Sequence, residues 1–276
     1  AWYAPWLAER IRRGGVEVRL PYGGRRSVSL RPEDVQAVVL WSKDFSRVIG
    51  NAGGVRDLLN RYEQLFCHFT VTGLGGTALE PQVPPWREAV AQRPELVRLC
   101  GDERRIALRF DPILHWYEGD SIESNLPLAE PLFRAASENG IRQIICSFAT
   151  LYAKVRRRWD RWYDPPMEEK LRITSELVEL ARSFDLELRT CSQSELAPAG
   201  ARPARCIDGE LLTELHPRHL PASRARDRGQ RKNCLCTLSA DIGSYRMACP
   251  GGCLYCYANP LIRRGGPLDL PISAAL

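Results

Sequence analysis

The chain has 276 residues, enough for one large domain or one domain with a small appendage. Its 44% hydrophobic and 26% charged residues exclude a disordered or low-complexity protein. A net charge of +6 permits an anionic partner without requiring one.

The chain opens at Ala1 with no basic–apolar–small leader pattern, and the start is read as a truncation, not a processed secretory end. Strand-like runs rich in Val, Ile, Leu and Phe fall at 35–41, 65–72, 105–110, 141–148 and 186–190. Helical patterns lie between them, at 48–62, 85–100, 121–139 and 166–184. Pro85 opens the second, Gly101 and Gly140 follow the second and third, and Glu168 and Glu169 suit the first turn of the fourth. This rhythm predicts an α/β fold with a parallel sheet, as a partial or complete (β/α) barrel; a doubly wound open sheet is the alternative. No apolar run nears the roughly 20 residues that cross a bilayer, so no membrane partner is expected.

In either fold, function gathers at the C-terminal ends of the strands. Those ends carry Trp41-Ser42-Lys43, Thr70 and Thr72, Arg109 and Asp111, Ser147, and Cys191. Lys43, Arg109 and Asp111 are candidate pocket residues for catalysis. Thr70 and Thr72 share one strand face and are candidate hydrogen-bonders to a substrate or cofactor. His68 lies in an apolar strand and reads as a core histidine, whereas His115 and Trp116 follow Asp111 in a loop within reach of the site. Residues 1–196 form the barrel-like unit in this reading. Residues 197–276 form a cysteine-rich segment packed on it, with a short helix at 207–215. Two basic runs, 154–161 with Trp159 and Trp162 interleaved and 218–232, suit either a solvated surface or nucleic-acid phosphates.

Ten cysteines are many for a chain of this size, and five of them fall between Cys234 and Cys256. Such clustering reads as metal ligation in a reducing, cytoplasmic compartment. Cys67, Cys100 and Cys146 sit in apolar stretches and read as buried thiols. The segment Cys249-Pro250-Gly251-Gly252-Cys253-Leu254-Tyr255-Cys256-Tyr257 spaces three cysteines as x3 then x2. Three such thiolates can each bind a separate iron of a [4Fe–4S] cubane, and Gly251 and Gly252 let the backbone pass close to it. The fourth iron is then left open for a small molecule. Zinc is the rival: it takes four N/S ligands, and Cys234 and Cys236 can complete a set with Cys253 and Cys256. The spacing favours the cluster.

Cys-x3-Cys-x2-Cys with an aromatic before the last cysteine resembles the signature of radical S-adenosylmethionine (SAM) enzymes. The resemblance implies that Cys249, Cys253 and Cys256 hold the cluster, that its open iron chelates SAM, and that Tyr255 packs near the adenine. It also implies an electron donor such as a flavodoxin or ferredoxin. The string Cys253-Leu254-Tyr255-Cys256-Tyr257 is similar to part of the spore photoproduct lyases. Over nearly its full length the chain resembles an uncharacterised bacterial family, the domain of unknown function numbered 1848. The similar stretches include Phe69-Thr70-Val71-Thr72-Gly73, Arg109-Phe110-Asp111-Pro112-Ile113-Leu114, Cys206-Ile207-Asp208, and the tail from Gln230 through Tyr245 to Asn259. That family begins with an extra strand, so the resemblance implies that an N-terminal strand is missing here. Two features depart from radical SAM enzymes: the cysteine loop lies near the C-terminus, and no Gly-Gly-Glu segment is present.

Cys191, Cys206, Cys234 and Cys236 remain, a complement suited to a second [4Fe–4S] cluster or a zinc site. The expectation is thus an iron–sulfur, radical-SAM-like enzyme acting on an unknown substrate. The alternative is a metal-stabilised protein that binds nucleic acid without catalysis.

Overall fold

The computed structural model describes residues 2–19, 23–244 and 247–262. Tyr245 and the end of the expected C-terminal unit lie outside the described residues. In chain order the strands are β1 (Gly15–Arg19), β2 (Arg25–Ser29), β3 (Val38–Ser42), β4 (Leu65–Thr70), β5 (Ile106–Ile113), β6 (His115–Glu118), β7 (Ser121–Ser124), β8 (Gln143–Phe148), β9 (Trp162–Tyr163), β10 (Glu187–Thr190) and β11 (Arg202–Pro203). Strands β1 and β2 form an antiparallel hairpin. Six strands build one parallel sheet in the order β3-β4-β5-β8-β10-β11, and β7-β6-β9 form a small antiparallel sheet.

Each strand of the parallel sheet lies beside its predecessor in that sheet, with no reversal of direction across it. A doubly wound sheet requires such a reversal, so that alternative is excluded. Among the described residues β3 and β11 do not pair, and the sheet stays open: a complete barrel is not formed.

The strands form where the sequence is apolar on both faces. Five of the six residues of β4 are buried, as are the first five of β5. Cys67, Phe69, Leu108, Phe110, Ile144 and Cys146 point to one face, in the main core with helices Arg93–Cys100, Ala129–Glu138 and Met167–Ser183. Side chains alternate along a strand, so Phe66, Ala107 and Ile145 point the other way, where helix Gly209–Glu214 covers them through Leu212. By the same alternation His68, Arg109 and Ser147 belong to this second face. A third cluster joins Leu74, Leu79, Leu114 and Trp116 to Cys253, Leu254 and Tyr255, seating the C-terminal cysteine loop.

Local breaks differ from the predicted helices for definite reasons. The pattern at 48–62 is interrupted because Asn51, Gly53 and Gly54 take positive φ, leaving short helices Ser46–Ile49 and Val55–Leu59. The pattern at 121–139 yields its first four residues to β7, which pairs with β6, and only Ala129–Glu138 is α-helical. His115 lies in β6, packed between Phe148 and Tyr163, and neither ring nitrogen has a hydrogen-bond partner.

Burial, the main effect on His115, lowers its pKa. The unfolded chain takes up a proton near pH 6.5 that the folded ring resists, so acid below that value favours unfolding. His115→Phe keeps a ring between Phe148 and Tyr163 and removes this penalty. In urea unfolding the variant should gain on the parent between about pH 8 and about pH 5. An equal gap at the two pH values would refute it.

Candidate metal centre

The loop after β4 builds the first half of the site. Glu80 is 1% exposed, and its Oε1 collects three partners. Lys43 Nζ lies 3.0 Å away, Thr72 Oγ1 donates to it at 2.5 Å, and the Tyr255 hydroxyl donates to it as well. Lys43 Nζ also stands 5.6 Å from the centre of the Tyr255 ring. The loop is held tight around Gly75, where a Cβ would fall 1.9 Å from the Pro84 carbonyl oxygen. Sequence reasoning placed Lys43, Thr72 and Tyr255 at the site but missed Glu80. The available signal was a single carboxylate within Gly75-Gly76-Thr77-Ala78-Leu79-Glu80-Pro81, a stretch with little other charge.

The cysteine loop is laid onto this base by its backbone. Leu254 N donates to Leu79 O at 3.0 Å, Cys249 N to Asn259 O at 2.7 Å, and Leu261 N to Cys249 O at 2.8 Å. Arg158 turns inward and donates to the carbonyls of Leu254 and Cys256. Cys253 is buried, and Cys249 and Cys256 are half-buried. A Cβ at Gly251 would lie 3.5 Å from Cys249 Sγ, 3.7 Å from Trp2 Nε1 and 3.9 Å from Cys253 Sγ, so glycine puts no side chain of its own between the two thiols and the indole. Burial pushes the Cys253 thiol up, and Glu80 pushes it further, with Lys43 opposing. Holding Cys253 as a thiolate therefore requires added positive charge at the site. All three are free thiols.

A second thiol group lies on the inner face of the sheet. Cys191 Sγ is 3.5 Å from Cys206 Sγ, and the N–H of Ile207, next to Cys206, donates to Cys236 Sγ at 3.3 Å. Arg109 Nη1 donates to Cys206 Sγ at 2.8 Å, and Arg109 Nη2 pairs with Asp111. Ser147 Oγ donates to the other oxygen of Asp111. Burial weakens the charge on Arg109, but Asp111, Cys206 and Cys191 together outweigh it, and its pKa is raised. His68 Nε2 lies 2.6 Å from the Cys206 carbonyl, and Trp41 stacks on its ring at 4.8 Å. Burial, with Arg109 adding, holds His68 neutral with a pKa of about 3. Among the described residues, no three Cys, His, Asp or Glu side chains surround one point as an ion would need.

Every cysteine predicted to ligate a metal thus falls in one of two groups at the strand ends. Thr70 ends β4 and stands in register with Arg109. Cys67, Cys100 and Cys146 are buried free thiols; Cys67 and Cys100 lie 3.5 Å apart, and the Cys146 carbonyl accepts from Cys191 N at 2.9 Å. The basic runs offer less to a nucleic acid than their composition suggests. Trp159 and Trp162 are 7% and 5% exposed and pack edge-to-face on each other, so they cannot stack bases. Arg156 and Arg218 pair with Asp164 and Glu63, and Arg226 donates to the Cys234 and Lys232 carbonyls.

Residues 1–258 match the model of one protein family, described as Domain of unknown function (DUF1848). The chain belongs to that family. The match runs through the parallel sheet, both thiol groups and the whole Cys249–Cys256 loop, and of the residues described above only Asn259 and Leu261 fall outside it. No curated protein matches the chain. Among the described residues of this DUF1848 protein, no helix is long and apolar enough to cross a membrane.

Proposed function

We propose that this DUF1848 protein is a radical-SAM-like iron–sulfur enzyme built on an open, barrel-like parallel sheet. Cys249, Cys253 and Cys256 hold a [4Fe–4S] cluster whose open iron takes SAM. The observation that carries this reading is the loop's make-up: three free thiols on one short loop, with Gly251 placing no side chain between Cys249 Sγ and Cys253 Sγ, which stand 3.5 and 3.9 Å from where its Cβ would fall. When bound and reduced by a flavodoxin- or ferredoxin-type donor, the cluster supplies the electron that cleaves SAM to a 5′-deoxyadenosyl radical.

The chain's own groups bind and orient. Glu80 fixes the Tyr255 hydroxyl and so the segment between Cys253 and Cys256. Lys43 brings positive charge toward the thiolates from the side of Glu80. Tyr255 is therefore held by its hydroxyl, and contact with an adenine falls to its ring. Buried Arg109 and half-buried Asp111 and Ser147 form a polar row on the second sheet face that orients a polar substrate. Trp159 and Trp162 lie inside the protein, which leaves the nucleic-acid-binding alternative without its stacking platform.

The test is anaerobic reconstitution with iron and sulfide, followed by incubation with SAM and dithionite. The proposal requires about four irons at this loop and formation of 5′-deoxyadenosine. Stoichiometric cluster without SAM cleavage would leave an iron–sulfur protein of another kind.

A further inference from the structure

Arg226 and Lys232, from the second basic run, line a cavity of about 170 Å3 at the C-terminal ends of β10 and β11. That is the end of a parallel sheet at which function gathers. One wall is set by the turn after β10. Thr190 ends the strand opposite Pro203 of β11, and Ala204 N donates to Thr190 O at 2.8 Å. Gln193 is clamped on the end of β8: its Nε2 donates to Phe148 O at 3.2 Å, and its Oε1 accepts from Phe148 N at 2.8 Å. Between them Ser192 holds a φ of 56°, a left-handed conformation that a residue other than glycine keeps only where its surroundings impose it. The facing wall comes from the later segment. There Arg226 Nε donates to Cys234 O at 3.0 Å and Nη2 donates to Lys232 O. The guanidinium is thus fixed in place, and the hydrogens of Nη1 are left over.

We propose that this cavity binds the phosphate group of a small phosphorylated molecule. Its lining holds two cations and no carboxylate, and among the described residues no acid pairs with Arg226 or Lys232. A phosphate monoester carries a charge of about −1.5 to −2 at pH 7, which two cations match. A carboxylate carries half that charge and would leave one cation uncompensated. The donors point the same way. Nη1 of Arg226 and the Lys232 ammonium offer more N–H groups than the two oxygens of a carboxylate can take, and Ser192, Ser194 and Asn233 line the cavity as well. The three terminal oxygens of a phosphate use such a set, and an arginine fork suits their geometry. Size narrows the class further. Sites for drug-sized ligands start at roughly 300 Å3, so this one takes a charged head group and little beyond it.

The site uses no thiol, so it stands or falls apart from the cluster. The test is calorimetric titration of the whole chain with inorganic phosphate, in a buffer free of phosphate and sulfate. One saturable site per chain is expected, and acetate at the same concentration should not compete for it. Lys232 is exposed and its ammonium has no partner among the described residues, so Lys232→Gln should fold as the parent does. Losing one charge-assisted contact should weaken phosphate binding about tenfold in that variant. Asn233→Asp sets a carboxylate in the lining and should weaken it further. Lys154→Gln removes an exposed cation from the other basic run and should bind phosphate as the parent does. Equal weakening in Lys154→Gln would overturn the site in favour of attraction by net charge. No saturable binding by the parent, or displacement of phosphate by acetate, would overturn the ligand class. A single-stranded oligonucleotide that binds the parent, loses affinity in Lys232→Gln and is not displaced by phosphate would give these residues to nucleic acid instead.

Discussion

Alanine at Cys249, Cys253 and Cys256 together is expected to remove about four irons and an equal amount of labile sulfide per chain, and to abolish SAM cleavage. The fold should survive. The loop is tied to the body by Leu254 N to Leu79 O and by the Arg158 guanidinium on its carbonyls, and neither tie uses a thiol. Circular dichroism and the urea midpoint should therefore stay close to those of the parent. Gly251→Ala is the finer probe. Its Cβ would sit at ordinary contact distance from Cys249 Sγ and Cys253 Sγ, so the folded chain accepts it. The added methyl occupies the space a cluster must approach, and iron content should fall while thermal stability holds. Full iron in Gly251→Ala would show that the cluster, if bound, lies on another side of the thiols. Full iron in the triple variant would remove this loop from the metal chemistry.

The sequence was most legible where one physical signal dominated. Leu65-Phe66-Cys67-His68-Phe69 is apolar on both faces, which only a buried parallel strand explains, and it forms β4. The spacing of Cys249, Cys253 and Cys256 puts them on one loop, and of the four cysteines left over Cys191 and Cys206 lie 3.5 Å apart. Legibility failed where the deciding contact is distant in sequence. Residues 121–124 become a strand because β6 lies ready to pair with them, against their helical pattern. Trp159 and Trp162 looked like surface aromatics among arginines, but Leu74, Leu79 and Trp116 give them an apolar seat. Glu80 lies 175 residues from its partner Tyr255, so no local pattern marks it. The open sheet edge was hidden too, because strand count and rhythm say nothing of whether β3 and β11 meet.

Glu80→Ala is expected to lower unfolding stability by about 3 kcal/mol, because it leaves a largely buried Lys43 ammonium without its carboxylate and frees two hydroxyls. Lys43 is 21% exposed, so partial hydration keeps the loss at the low end for a broken buried pair. The loss should be smaller in Glu80→Gln, whose amide oxygen still accepts from Thr72 and Tyr255 but gives Lys43 no charge. The double variant Glu80→Gln, Lys43→Met removes both charges together, and it should recover much of the stability. Cluster content separates the two residues. Lys43→Met alone leaves Glu80 pushing the Cys253 thiol up with no ammonium opposing it, so its iron content should fall, whereas the double variant loses Glu80 as well and should regain iron along with stability. Full iron in Lys43→Met would reduce Glu80 and Lys43 to a structural pair. Glu80→Ala unfolding within about 0.5 kcal/mol of the parent would show that this carboxylate holds nothing together.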